Sequence, residues 1–389
     1  MKNYKLSEIT LNLIDGKHGG CSSVKGSGYY FISVKDLKFN NIDYSSAKEI
    51  SIDDFVECNK RTKLEIGDTV YANSGDTIGK SVYISENAKN VDKTTFQKSV
   101  AILKPNKDFV YPKYLYYLLK YETPRLRKVS SGSAQKNLLL DTMRNFEVSI
   151  HEKEQQKRIL ELLDPIDKLI SCKIELNKEI NKILSKAYSY YILGEQQNKS
   201  NIWEKISLKD ILEFEKGIEV PTIMNPKNID DYIRLYKVGD MDEELDNKKG
   251  EYIKKDKSSC NKVIPTDVLV SFDGTPGKVS IGLEGCYSSG IRKIYSKNNK
   301  ISKSLIYLIF KSTQIQFIIN QYSTGSNILH AGEAISHLEI LYNEDIYNKF
   351  AKKFDDLFDL LVNNIVEIRK AIEFRDKLIP LLFANKVKL

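Results

Sequence analysis

Residues 74–81 read Ser-Gly-Asp-Thr-Ile-Gly-Lys-Ser, which comes close to a phosphate-binding loop. Such a loop reads G-x-x-x-x-G-K-[ST]; its backbone N–H groups cradle phosphates and its lysine reaches the outer ones. The first glycine belongs five residues before Gly79, where Ser74 stands. The cradle is therefore one residue short, and a nucleotide-driven motor is not expected. Other catalytic patterns are equally thin. An adenine methyltransferase needs an N/D-P-P-Y/F loop, yet the only Asp-Pro is Asp164-Pro165, inside a helix-like segment. No carboxylates fall at the P-D…E/D-x-K spacing of a nuclease. Four histidines include no H-E-x-x-H or H-x-E set, so no metal is expected, and His330 and His337 read as surface or satisfied residues. Asp53-Asp54 and the acidic run 240–244 read as solvated charges. The chain is expected to carry no active site and no cofactor of its own.

A chain of 389 residues suits two or three domains. Charged residues are 29% and hydrophobic ones 41%, the balance of a folded, soluble protein. No apolar run nears the roughly 18 residues of a membrane span, and the N-terminus has no apolar signal core. Five scattered cysteines with no C-x-x-C favour reduced thiols and a cytoplasmic location. The net charge of +8 permits nucleic-acid binding without establishing it.

The near-loop recurs. IGDTVYANSGDTIGKSVY at 66–83 is matched by IPTDVLVSFDGTPGKVS at 264–280, with Gly75, Gly79 and Lys80 facing Gly274, Gly277 and Lys278. The second copy is one residue shorter between its glycines. A phosphate cradle could not lose that residue, whereas a hairpin turn could. With β-rich flanks, both copies read as strand–turn–strand. Further pairs keep the same order: YKLSEI (4–9) with ISLKDI (206–211), each before a glycine (Gly16, Gly217); YLYYLLK (114–120) with LIYLIFK (305–311); SSGS (130–133) with STGS (323–326). The chain is a tandem duplication of about 200 residues. Residues 17–60 and 218–260 do not align, so one scaffold carries two different inserts.

Each copy ends in a helical segment. Apolar residues step by about 3.5 at Leu162, Ile166, Leu169, Leu176, Ile180 and Ile183, and again at Phe354, Leu357, Leu361, Ile368 and Leu378. A period sustained this long predicts a coiled-coil seam; the alternative is an amphipathic helix lying on its own domain. Lys173 and Arg375 are the discordant positions, and Lys173 or Asn364 buried in the seam would fix register. Pro165 either kinks one helix or opens a new one capped by Asp164. Residues 165–192 would span roughly 42 Å, enough to hold two DNA readers about one turn, 34–36 Å, apart.

These features together resemble the specificity subunits of type I restriction–modification systems. The junction SGSAQKNLLLDTMRNFEVSIHEKEQQKRILELLDPIDKLI (131–170) is similar to the family's G-S-x-Q-x-x-L followed by an E-Q-x-x-I helix start, here Gly132, Ser133, Gln135, Leu138, Glu154, Gln155 and, one residue late, Ile159. DGTPGKVSI (273–281) is a second family feature. The second junction lacks the Gln and Lys, and neither copy has the usual proline-rich lead into its helix. The resemblance implies an α+β fold: two mixed α/β target-recognition domains, 1–150 and 196–342, joined by antiparallel coiled-coil spacers, 151–195 and 343–389. It implies that each domain reads half of an asymmetric bipartite site in double-stranded DNA, while the helices set the spacing. It further implies two methyltransferase subunits, which bind S-adenosylmethionine and methylate adenine, and motor-nuclease subunits in the full complex.

Base edges are read by Arg, Lys, Asn or Gln, and phosphates by Lys and Arg. Polar residues in glycine-flanked turns or at repeat-matched positions are therefore the candidate DNA-binding set. In the first copy these are Lys17, His18, Lys25, Asn73, Lys80, Lys93, Gln135, Lys136 and Asn137. In the second they are Lys216, Asp273, Lys278, Arg292, Ser326 and Asn327. Lys80 and Lys278 could instead shield strand edges, and Tyr29-Tyr30 could stack on bases or fill a core. Two other functional classes are consistent with parts of the pattern: a coiled-coil adaptor with two protein-binding modules, and a DNA-acting enzyme, which the missing motifs disfavour.

Overall fold

The computed structural model describes residues 1–132, 136–197, 202–224, 226, 228–241, 250–255, 261–325 and 329–386. The architecture is α+β. It comprises two compact units, Met1–Lys168 with Glu373–Leu389, and Leu169–Ile372.

Each unit is built on a four-stranded antiparallel sheet of one topology. The first orders its strands Thr10–Asp15, Val100–Pro105, Thr69–Ala72, Ser81–Tyr83; the second Leu212–Lys216, Ile291–Ser296, Val268–Ser271, Val279–Ser280. Central strands such as TVYA and VLVS are apolar throughout because both faces are covered. In the first unit Tyr71, Ala101 and Leu103 face the helix Pro112–Lys128, while Val70, Ala72, Val100 and Ile102 pack against Ile32, Leu37 and Phe96 of the insert. The YLYYLLK helix is accordingly buried from Tyr114 to Leu119. Its counterpart breaks at Ser312, whose extended backbone separates Lys303–Lys311 from Thr313–Gln321 and whose hydroxyl caps the second piece through Ile315 N–H.

The inserts differ in structure as in sequence. The first adds the helix Ile52–Thr62 and a three-stranded sheet, the second a five-stranded sheet. Cys286, in that second sheet, is disulfide-bonded, which corrects the expectation of reduced thiols throughout; Cys21, Cys58 and Cys172 are free. Sequence spacing carries no information about which thiols meet in space. Among the described residues, no helix is long and apolar enough to cross a membrane, and no His, Cys, Asp and Glu cluster could hold a metal ion.

Two long helices close the repeats, Lys153–Tyr188 and Glu344–Phe383. The first runs unbroken through Pro165; the carbonyl that loses its partner belongs to the exposed Glu161, on the solvent side. The helices pair antiparallel: Asp167 meets Arg375 in the first unit, and Lys173 meets Asn364 and Glu367 in the second.

The seam differs from the expected one. Leu162, Leu169, Leu176 and Ile183 are 45, 49, 43 and 48% exposed. Burial falls instead on Ile159 and Leu163 in the first unit, and on Ile170, Ile180, Leu184 and Ala187 in the second. Of the expected set, Ile180, Leu361 and Ile368 are buried, and Ile166, Phe354, Leu357 and Leu378 half-buried. Two heptad stripes run along the first helix. The outward one is uninterrupted, while the buried one contains Gln156, Asp167 and Asn177. Apolar counting therefore selects the outward stripe.

Arg375, discordant by pattern, is only 1% exposed. Its Nη1 donates to Asp167 Oδ1 at 2.9 Å, and Tyr117 Oη donates to Asp167 Oδ2 at 2.5 Å. Asp376 accepts from Arg375 Nε and Nη2 at 3.1 and 2.8 Å. Burial alone would raise the Asp167 carboxyl, but the Arg375 guanidinium and the Tyr117 hydroxyl hold it below the usual carboxylate range. Removing one partner strands a buried charge, so Arg375→Met should cost about 3–5 kcal/mol in urea unfolding, and the double change with Asp167→Asn should recover part of that. The depressed carboxyl contributes stability that is present above about pH 4 and is lost as pH falls through its folded value. The Asp167→Asn variant should show a correspondingly shallower acid slope.

Candidate nucleic-acid interface

The hairpin turns and the Gly-Ser junctions, far apart in sequence, meet at one end of the sheet in each unit. In the first unit Gly75 N–H donates to Lys136 O at 2.6 Å, and Leu138 N–H to Asn73 O at 2.8 Å. Asn137 and Ser131 exchange N–H···O bonds of 2.7 and 3.0 Å. In the second unit Ala331 N–H donates to Phe272 O at 2.7 Å, and His330 and Thr324 exchange bonds of 2.8 and 3.0 Å. Asp273 and Gly274 pair with His330 and Leu329 as a short ladder. The turns themselves close alike. Ala72 N–H donates to Lys80 O and Ser271 N–H to Lys278 O, at 2.8 and 2.9 Å. The one-residue difference in length is absorbed between the glycines. Gly75, Gly79, Gly274 and Gly277 all have positive φ, as tight turns that only glycine enters cheaply require.

The first strand ends at the same edge. Gly16 N–H donates to Val100 O and Gly217 N–H to Ile291 O, both at 3.1 Å. A Cβ on Gly16 would stand 2.0 Å from Phe96 O, and one on Gly217 2.2 Å from Ser288 O. Both positions therefore admit glycine alone, and Lys17 and Lys216 flank them at the edge.

The candidate residues fall into distinct environments. Lys25, Lys93, Lys136, Asn137 and Lys216 are exposed. Lys80 and Lys278 are half-buried at the two turns. Lys17 is engaged by Asp54 and Glu57 at 3.4 and 3.1 Å, and the bond to Glu57 raises its ammonium pKa further. His18 stands 3.5 Å from Asp15, whose carboxylate Arg61 also holds. Asn73 is buried; the carboxamide orientation that satisfies its surroundings donates to Ser99 O and Lys98 O at 2.6 and 3.2 Å. It fixes the turn against the 97–99 loop instead of facing outward. Arg292 Nη1 donates to Ser289 O and Ile291 O at 2.6 and 3.2 Å, and burial lowers its guanidinium pKa against the pull of Asp273. Asp273 accepts from His330 Nδ1 at 2.7 Å. Gln135, Ser326 and Asn327 lie outside the described residues. Tyr29 packs on Phe55 and Tyr30 on Tyr44, so both join the insert core.

Sequence reasoning missed His330 as a member of this edge. The signal was its place in the repeat: it follows Thr324 by the same interval that separates Asn137 from Ser131. At the helix start, Gln156 is the fully buried glutamine. It accepts from Tyr111 N–H at 3.0 Å and donates to Phe109 O and His151 O at 2.9 Å each. Gln156 also lies three residues before Ile159, so the helix-start motif falls on Gln155-Gln156 and not on Glu154-Gln155.

A family model described as the type I restriction modification DNA specificity domain matches residues 23–182. The chain is 23% identical over 393 residues to a putative type I restriction enzyme MjaX specificity subunit of Methanocaldococcus jannaschii, covering 93% of this chain and 88% of that protein. It is 22% identical over 318 residues to the type I restriction enzyme MjaIX specificity subunit of the same organism, covering 73% and 71%. A crystal structure of the type I restriction–modification S subunit from M. genitalium matches with a TM-score of 0.55 at 16% identity, covering 98% of this chain and 96% of that one; this likeness is one of fold. Like the duplicated frame and its paired loops, these matches make the chain similar to the specificity subunits of type I restriction–modification systems.

Proposed function

We infer that this chain is the non-catalytic, sequence-reading subunit of a type I restriction–modification complex. The target-recognition domains, 1–150 and 196–342, each read one half of a bipartite, asymmetric DNA site. The helical spacers, 151–195 and 343–389, set the separation of the halves and dock methyltransferase subunits. The observation that carries this reading is the paired turn and junction at the same sheet end of both units, a constant frame bearing different exposed side chains. Lys136 and Lys216 stand at this edge as phosphate-contacting residues, and Asn137 as a base-reading one. S-adenosylmethionine and the methyl transfer belong to two partner subunits, and motor-nuclease subunits complete the restriction assembly. The chain itself needs no cofactor.

The outward stripe on the first long helix supports docking. Leu169, Leu176 and Ile183 repeat every seven residues on the solvent side of the second unit, and Leu162 continues the spacing in the first. Uncovered apolar side chains at heptad spacing suit an apolar partner surface, and a helix that lacked one would gain from polar residues there. Leu176→Glu with Ile183→Glu should leave stability within about 0.5 kcal/mol per change, since both sites are exposed. It should abolish co-purification with the methyltransferase. Undiminished co-purification would place the docking surface elsewhere.

Two further outcomes test the DNA reading. Sequencing of methyladenine in the native genome, with the gene intact and deleted, should show one bipartite motif lost on deletion. Lys136→Ala or Lys216→Ala should weaken binding to all sequences alike and lower the slope of log affinity against log salt by roughly one. A slope unchanged by both substitutions removes these lysines from the phosphate contacts.

A further inference from the structure

The two loop pairs differ in a way that their frame does not require. In the first unit Ser74 bridges Asn137; at the matching places in the second stand Asp273 and His330. The correspondence rests on hydrogen bonds. Asn137 and His330 each exchange backbone bonds with the residue six before, Ser131 or Thr324, and the residue after each donates to the turn, at Asn73 O or Phe272 O. Both side chains point out of the ladder: Asn137 is exposed, and the His330 side chain is 62% exposed. The ladder closes in the first unit without an ion pair, so closure does not need the Asp273–His330 contact in the second.

We propose that positions 137 and 330 are the matched specificity-determining positions of the two reading loops, with Asp273 a positioning residue for the His330 ring. This rests on the DNA-reading function. A carboxylate beside the ring repels phosphate, so the partner of His330 is a base edge. The Nδ1–H of His330 donates to Asp273 Oδ1 at 2.7 Å, which fixes the ring and leaves Nε2 as the single outward polar atom. In the neutral ring Nε2 accepts from the exocyclic amine of adenine or cytosine; in the charged ring it donates to guanine N7 or O6. The carboxamide of Asn137 instead presents a donor and an acceptor together, the pattern that matches adenine N6 and N7. One ladder position thus offers a two-point contact in one domain and a one-point contact in the other.

The test uses the full chain expressed with its methyltransferase partner. Methyladenine motifs are read genome-wide for the wild type, His330→Ala, His330→Asn, Asp273→Ala and Asp273→Asn. His330→Ala and His330→Asn should relax or change one base position in one half-site, with the other half unchanged. In binding assays, discrimination at that position should fall roughly ten- to hundredfold. Asp273→Ala should relax the same position. Asp273→Asn retains an acceptor for Nδ1–H and should keep the motif, a rescue that separates orientation of the ring from bulk stability. An unchanged motif in every variant overturns the assignment, as does an equal loss of binding to all sequences. A wild-type chain that adds no bipartite motif overturns the DNA-reading function itself.

Discussion

The buried Arg375–Asp167 pair is the constraint on which the helical part of this protein depends. A guanidinium almost wholly removed from water is tolerable only where its N–H groups meet carboxylates, here Asp167 and Asp376. Sliding either helix by one turn would strand both charges. An apolar seam alone would not punish that slip as severely, because Leu and Ile stripes repeat and can repack. Lys173, held by Asn364 and Glu367 in the second unit, applies the same kind of penalty more weakly, since its side chain remains partly solvated. Buried polarity therefore selects one register from several that apolar packing would allow.

Register matters because the chain repeats itself. Each copy of the frame brings a turn, a junction loop and the end of the first strand to one edge of a sheet covered on both faces. The parts that make this edge are backbone hydrogen bonds and glycines with no room for a side chain. Gly16 and Gly217 let the first strand approach a neighbouring loop at a distance that any Cβ would forbid. Asn73 serves the same end through its side chain, tied to the carbonyls of Ser99 and Lys98.

Much of this was legible in the sequence, for physical reasons. The duplication showed because closing the same turns demands the same glycines. The buried helix YLYYLLK showed because it is apolar on every side. The strands TVYA and VLVS showed because sheets covered on both faces have no polar alternation. What failed did so for equally physical reasons. Leu162, Leu169, Leu176 and Ile183 form a cleaner heptad than the buried stripe, which is interrupted by Gln156, Asp167 and Asn177; of these, Asp167 meets Arg375 across the seam. Arg375 read as discordant because its partner, Asp167, is 208 residues away. Asn73 read as an exposed amide because burial of a turn residue depends on the 97–99 loop folded over it. His330 read as a bland surface residue because its meaning lies in its register opposite Asp273, which only the folded repeat supplies.

The division between frame and exposed position also bears on how such a protein can change. Residues that set the edge are buried or conformationally unique, and substitution there acts on folding. Residues that project from the edge are exposed, where substitutions usually alter stability by less than about 0.5 kcal/mol. Lys136, Asn137 and His330 belong to the second group. They can vary while the ladder beneath them stays closed, as the Ser74–Asn137 and Asp273–His330 pairs in one chain already demonstrate. A frame that fixes position through the backbone leaves side-chain chemistry free to differ between the two halves, which is the property that reading an asymmetric site requires.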